Sequence, residues 1–396
     1  MTKAKPLIVA GIMSGTSADG IDVALVRIAA RAGRPYPKLE LLAHRAWPFP
    51  AALRRAILAA MNAESISTAE LARLNWRLGI AYAEALRDTI AATKRKPALV
   101  GCHGQTVYHQ AAPASWAGRR FACTWQLGEP ALIAAECRVP VVSNFRPADM
   151  ALGGQGAPLV PLFDYVYFAH PARARVLLNI GGIANLTVIP AGAGPDNVIA
   201  FDTGPGNMVI DALMQQLYGK RFDRDGRTAA QGCIIESVLR AFLDDRFFTS
   251  APPKSAGREQ FGAEFAARFL GACRRASRKP RRKSHDAVTT ATALTALSIL
   301  EAFIRWAHPA TGRAPVDVIV SGGGARNEFL LSRLSQLLAD YNCTTTTSEA
   351  AGLPASAKEA AAFALLAYET WHHRPGNIPS ATGATRPAIL GQIAYV

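Results

Sequence analysis

Three glycine-bearing turns, each set at the end of a short apolar run, constrain this chain more than any other feature. The run 6–10 leads into Gly11-Ile12-Met13-Ser14-Gly15-Thr16-Ser17-Ala18-Asp19-Gly20 and then into Ile21–Ile28, where the apolar pattern alternates. A second unit runs from Val176–Ile180 through Gly181-Gly182 into Ala184–Ile189. The third, Val316–Val320, enters Ser321-Gly322-Gly323-Gly324-Ala325-Arg326-Asn327 and then a helical stretch with Phe329, Leu330, Leu334 and Leu337 on one face. The first two read as strand, turn and strand, so a hairpin recurs along the chain. Glycine lets backbone N–H groups approach an anion with no Cβ in the way, and the hydroxyls of Ser14, Thr16 and Ser17 add donors.

Between these turns the period changes. Ser67 with Glu70 three residues later is a capping-box signal, and Leu71, Leu74, Leu78, Tyr82 and Leu86 follow at helical spacing. That helix should stop near Lys94–Pro97, before a buried strand at Ala98–Val100 that feeds Gly101-Cys102-His103-Gly104-Gln105-Thr106. A strand at Val198–Phe201 leads into Asp202-Thr203-Gly204-Pro205-Gly206-Asn207 and a helix over 208–217. Strands alternating with helices place the fold in the α/β class. Gly and Pro break the pattern between Arg146 and Pro158, so two domains are expected, 1–150 and 151–396, with the extreme C-terminus able to pack back on the first.

Composition narrows the function classes. Half of the 396 residues are hydrophobic and 18% are charged, which excludes a disordered or fibrous chain. No run reaches about 18 uncharged apolar residues; the best, Ala287–Leu300, stops at Glu301, so no membrane span is expected. The N-terminal apolar run is too short for a signal peptide, and six cysteines without a C-x-x-C pair fit reduced thiols. A cytoplasmic protein is the expectation. The net charge of +15 is concentrated in 274–283, which carries seven Lys and Arg in ten residues. No nucleic-acid-binding motif accompanies that run, and it reads as a solvated loop rather than a nucleic-acid surface.

Three glycine turns at strand ends favour a nucleotide site, and absent motifs narrow its type. Gly15 and Gly20 have P-loop spacing, but Ile21 and Asp22 stand where Lys and Ser/Thr are required. The first turn has no Rossmann fingerprint and leads into a strand, and protein-kinase signatures are missing. What remains is a β-hairpin clasping phosphate, once in each of two related domains.

Gly11–Asp22 resembles the first phosphate loop of the sugar kinase, Hsp70 and actin superfamily. The strings 13–22, His103-Gly104-Gln105-Thr106, 153–161, 179–185, 201–207 and 322–327, in this order, resemble the anhydro-N-acetylmuramic acid kinase family over residues 11–391. The resemblance implies a two-domain, actin-like ATPase (ribonuclease H-like) fold that closes an interdomain cleft over ATP, Mg2+ and a bicyclic sugar. It also implies a homodimeric enzyme of bacterial peptidoglycan recycling. Such enzymes open the ring of 1,6-anhydro-N-acetylmuramic acid with water and phosphorylate O6.

By the same resemblance, Asp202 is the catalytic base. Its string alone fits an Asx-turn equally well, and an aspartate of ordinary pKa near 3.9 needs no large shift to serve. Ser14, Gly15, Thr16, Ser17, Ala18, Asp19, Gly20 and Ile21 would hold ATP phosphates, together with Asn179, Gly181, Gly182, Gly204, Gly206 and Asn207. Gly322, Gly323, Gly324 and Asn327 resemble the adenosine-side loop. Gln105, Thr106, Arg146, Asp149 and Glu359 would line the sugar site, Arg146 pairing with the lactyl carboxylate. Asp19 is the candidate for magnesium, with Asp22 as the alternative and a turn role open to both. His103 reads as a buried histidine donating to a backbone carbonyl. Lys254–Glu259 also resembles a family string and is expected near the cleft. The rival reading is an ATP-dependent switch of the same fold that takes no sugar.

Overall fold

The computed structural model describes residues 5–252, 254–276 and 284–396. Most of the basic run therefore lies outside the described residues; its first two arginines, Arg274 and Arg275, end the helix Ala263–Ala276. The chain divides into two compact units, one of residues 1–167 with 356–396, the other of residues 168–355. The expected boundary at 150 thus falls inside the first unit, and the whole C-terminal segment from 356 belongs there too.

The first unit carries β1 (Leu7–Met13), β2 (Gly20–Ala29), β3 (Lys38–Pro48), β4 (Leu99–Cys102), the two-stranded ribbon β5 (Gln105–Trp116) and β6 (Arg119–Leu127), and β7 (Val141–Ser143). Its main sheet runs β7-β4-β1-β2-β3, and the C-terminal strand Gln392–Ala394 is added beside β7. β1 pairs antiparallel with β2 and parallel with β4. The helix Thr68–Thr93 starts on a closed capping box: Ser67 Oγ accepts from Glu70 N–H at 3.2 Å, and Glu70 accepts from Ser67 N–H at 3.1 Å. It ends at Lys94, whose left-handed φ of 56° stops the helical path.

The helix Lys358–Trp371 explains why the C-terminal segment leaves the second unit. Its face of Ala360, Ala361 and Ala364 is buried, and it lies so close on the sheet that a Cβ at Gly11 would strike the Ala360 carbonyl. One at Gly101 would strike the Phe363 carbonyl. Small residues on both surfaces permit backbone-to-backbone packing, which increases dispersion contact per residue.

The second unit carries β8 (Ala174–Ile180), β9 (Ile183–Ile189), β10 (Ile199–Pro205), β11 (Val316–Ser321) and β12 (Cys343–Thr347) in the order β10-β9-β8-β11-β12. Senses match the first unit: β8 is antiparallel to β9, parallel to β11. Leaving out the added C-terminal strand and counting along the chain within each sheet, both have the order 3-2-1-4-5, the duplicated ribonuclease H-like arrangement that the resemblance implies. The helix Ser284–Ala302, extended through Phe303–Thr311, is long and apolar enough to span a membrane by length and composition, against the expectation from uncharged runs alone. Yet 78% of its apolar window is buried inside the protein, so it is a core helix. Its threonines pair locally: Thr290 and Thr292 donate to the carbonyls of Asp286 and Val288.

In each sheet the parallel strands end on one edge. β1, β4 and β7 stop at Met13, Cys102 and Ser143; β8, β10 and β11 stop at Ile180, Pro205 and Ser321. Carboxyl edges of parallel strands are where open α/β sheets take ligands. All the glycine turns read from the sequence sit there.

Candidate active site

In the first unit the 14–19 turn links β1 to β2. Thr16 and Ser17 are exposed at its tip, while Ala18 turns inward with a φ of 52° and donates its N–H to Gly15 O at 3.1 Å. Arg54 braces the loop from outside through Ala18 O at 3.1 Å, Ser17 O at 3.4 Å and Asp19 Oδ1 at 3.2 Å. Ser14 differs from its expected role. Its hydroxyl is buried against Tyr82 Oη at 2.7 Å and so faces the core rather than the loop's outer surface. Asp22 is held by His44 Nε2 at 2.8 Å.

The β4–β5 junction and the segment after β7 bring a second group to this edge. Gln105 is fully buried and donates through Nε2 to Gly15 O at 3.2 Å, which ties the two loops together. Its Oε1 has no hydrogen-bond partner among the described residues. Thr106 lies buried in the ribbon and accepts from Gln126 at 3.3 Å. His103 Nδ1 donates to Gly104 O at 2.7 Å, as its sequence reading expects, and the other ring nitrogen accepts from Arg146 Nε at 3.1 Å. That network fixes a neutral tautomer. Burial, then the nearby Arg146 charge, pushes the His103 pKa down to about 3.

Arg146 itself is held down to about 10 by burial, with Glu359 opposing. Glu359 stands in the first turn of the helix Lys358–Trp371 and reaches solvent, yet protein crowds it enough that lost solvation raises its pKa. Lys358 and Arg146 resist that rise, and Asp22 adds to it. Asp149 has a different position. Its carboxylate is wholly buried and accepts from Asn377 Nδ2 at 2.6 Å, Thr382 Oγ1 at 2.7 Å and Gly156 N–H at 2.8 Å. These bonds pin the 153–156 loop to the C-terminal segment.

In the second unit the Gly181-Gly182 turn abuts the start of the helix Asn207–Tyr218. Gly206 and Met208 donate N–H to Gly182 O at 2.9 and 3.1 Å, and Asn207 donates to Gly181 O at 2.8 Å. The helix's first donors are thus engaged by the turn's carbonyls. Asn179 accepts from Ser321 Oγ at 3.4 Å, and Gly322, at φ 83°, approaches Asn179 too closely to allow a Cβ. Gly323 is exposed beside Asn207. Asn327 is the N-cap of the helix Glu328–Ala339 and accepts from Leu330 N–H at 3.0 Å, so its side chain orders the helix start. Gly204 has a φ of 146° and lies against Phe248 and Ser298.

Asp202 sits on β10 at a bulge, where pairing with β9 slips between Asp202 and Gly204. The loop after Ser250 comes to it twice. Asp202 N–H donates to Lys254 O at 3.0 Å, and Asp202 Oδ2 accepts from Ala256 N–H at 2.8 Å. Burial raises its pKa to about 6, against the lowering effects of the Ala256 bond and of Lys254. The expectation of an unshifted aspartate therefore does not hold. A carboxylate poised near neutrality is better matched to proton abstraction than one near 4.

Residues 7–396 match the family described as anhydro-N-acetylmuramic acid kinase. The chain belongs to this family. An anhydro-N-acetylmuramic acid kinase of Bacillus cereus (strain AH187) is 42% identical over 390 residues, covering 98% of this chain and 99% of its own. One of Salinibacter ruber (strain DSM 13855 / M31) is 45% identical over 390 residues, at 98% and 96% coverage. Among solved structures, the activator of the 2-hydroxyisocaproyl-CoA dehydratase from Clostridium difficile with bound ADPNP is a weak likeness, with 11% identity and a TM-score of 0.41 over 93% of this chain and 96% of that one.

Two features of this candidate site were not read from the sequence. The Arg54 brace and the Arg146–His103 contact join residues 35 or more positions apart. No local pattern signals either pairing.

Proposed function

We propose that this chain uses ATP to hydrolyse the 1,6-anhydro ring of 1,6-anhydro-N-acetylmuramic acid and to phosphorylate O6, with Asp202 as the base. The products are N-acetylmuramic acid 6-phosphate and ADP. Family membership supports the reaction, and the environment of Asp202 supports the assignment of its base. Asp202 takes a proton from water; the water oxygen bonds to C1 as the C1–O6 bond breaks. O6 keeps that electron pair and attacks the γ-phosphorus, and ADP departs. The Ala256 N–H holds Oδ2 and leaves Oδ1 outside that bond to receive the proton.

For the phosphates, the exposed hydroxyls of Thr16 and Ser17 on the Arg54-braced loop are the donors we assign, with Gly181, Gly182 and Gly323 giving close backbone approach. For the sugar, the unpartnered Gln105 Oε1 is an acceptor for a hydroxyl or amide, and Arg146 is the cation for the lactyl carboxylate. Among the described residues no three metal-ligating side chains gather. Magnesium in kinase sites takes one or two carboxylates besides phosphate and water, so this donor set fits it, with Asp19 the exposed carboxylate beside the loop. Bound there, it would neutralise charge on the phosphates. Cytoplasmic, homodimeric operation in peptidoglycan recycling completes the proposal.

The test is product mass. Incubation with ATP and the anhydro sugar should give a product that has gained both water and a phosphoryl group. A product carrying phosphoryl alone, or ADP release with unchanged sugar, would contradict the reading.

A further inference from the structure

The loop that touches Asp202 carries a cation with an unusual mooring. Lys254 Nζ donates to Phe247 O at 2.9 Å and Phe248 O at 3.3 Å, and stands 4.7 Å above the centre of the Phe247 ring. Two carbonyls and a ring face fix where that charge sits. Most surface lysines lose such fixation to side-chain entropy. The same residue's carbonyl accepts the Asp202 N–H at 3.0 Å, so the residue that carries the moored charge also grips the aspartate's backbone.

We propose that Lys254 is a positioning residue for Asp202, its moored ammonium being the fixed charge that keeps the aspartate ionised inside a desolvated site. This rests on the reading of Asp202 as the base. The Ala256 N–H and the Lys254 charge both lower the Asp202 pKa against the effect of burial. Lys254 in turn feels Arg305, which disfavours its charge, and Glu301, which supports it; both follow from the core helix and the turn after it. Burial and Arg305 lower the Lys254 pKa, while Asp202 and Glu301 oppose that fall. The mooring carbonyls favour the ammonium form, because a charged donor makes the stronger hydrogen bonds.

The experiment compares the pH dependence of kcat/KM, with ATP and the anhydro sugar, for wild type, Lys254→Gln and Lys254→Arg. Gln keeps a donor for the Phe247 and Phe248 carbonyls and loses the charge. Its acid limb should move to higher pH, by up to about one pH unit, because the charge that lowers the Asp202 pKa is gone. Arg should restore the wild-type limb. A Gln variant whose activity falls equally at every pH, its limb unmoved, would overturn the proposal and leave Lys254 a structural residue. Lys254→Met carries the same expectation if Gln fails to fold. Asp202→Asn, run alongside, separates the two readings: if it keeps the wild-type profile, the base assignment fails and Lys254 has nothing to position.

Discussion

Arg146 donates through Nε to a ring nitrogen of His103 at 3.1 Å, and that histidine is locked as an acceptor because its other nitrogen donates to Gly104 O. The contact fixes the plane of the guanidinium and keeps its two terminal nitrogens out of this bond. Burial holds His103 neutral far below physiological pH, so the acceptor does not switch off as pH falls toward 5.

His103→Phe keeps a ring against Phe363, which lies 4.6 Å from the histidine centroid, and removes the acceptor. The KM for the anhydro sugar should rise about tenfold or more, since a buried guanidinium N–H left unpaired costs roughly 1–3 kcal/mol. The KM for ATP should stay within about twofold. Steady-state kinetics with each substrate varied separately checks this; equal rises in both would tie His103 to general stability instead.

Asp149→Ala tests a different role. Its carboxylate meets three donors and has no exposure, so the variant leaves Asn377, Thr382 and the Gly156 N–H without their acceptor. Urea unfolding should show a loss of about 3 kcal/mol or more. If instead stability holds and only sugar KM rises, Asp149 contacts the sugar directly.

Gly101→Ala should be more damaging than its size suggests. The added methyl would meet the Phe363 carbonyl, which is helix backbone and cannot rotate aside. Thermal melts should show a Tm lower by several degrees or a chain that fails to fold, the usual result of overpacking by a rigid neighbour. An unchanged Tm would mean the helix Lys358–Trp371 sits further from β4.

These positions show what the sequence makes legible. Turns, strands and caps are local, so the hairpins at 14–20 and 181–182, the capping box at Ser67 and Glu70, and the helix after Asn327 could be read directly. On that last helix Leu330 and Leu334 are buried as expected, joined by Leu338, while Phe329 and Leu337 are only partly buried against the core. A return of the extreme C-terminus to the first unit was expected, but its extent, from 356 onward, was beyond local reading. It depends on Ala360 meeting Gly11 and on the Phe363 backbone meeting Gly101, matches of small surfaces more than 250 residues apart. The acid constant of Asp202 was equally hidden, since burial and the 254–256 loop are tertiary facts.

Asp202 also predicts a trade between activity and stability. Its folded pKa of about 6 lies above the ordinary 3.8, so the native state binds this proton more tightly than the unfolded chain does. That favours folding below pH ~4, and the benefit is lost as pH rises through about 6. At pH 7.5 the ionised carboxylate is a net cost, and Asp202→Asn, whose amide oxygen can still accept from Ala256, should be more stable than wild type by roughly 1–3 kcal/mol. Near pH 4 the two should unfold alike. Urea titrations at both pH values check the difference; a variant no more stable at 7.5 would contradict the raised pKa.

The most direct measurement is turnover of the anhydro sugar by Asp202→Asn, with ATP binding measured on the same preparation. If Asp202 removes the proton from the attacking water, kcat should fall by about a hundredfold to ten-thousandfold while the affinity for ATP stays near that of wild type. A folded variant that still phosphorylates the sugar at a rate close to wild type would contradict the account.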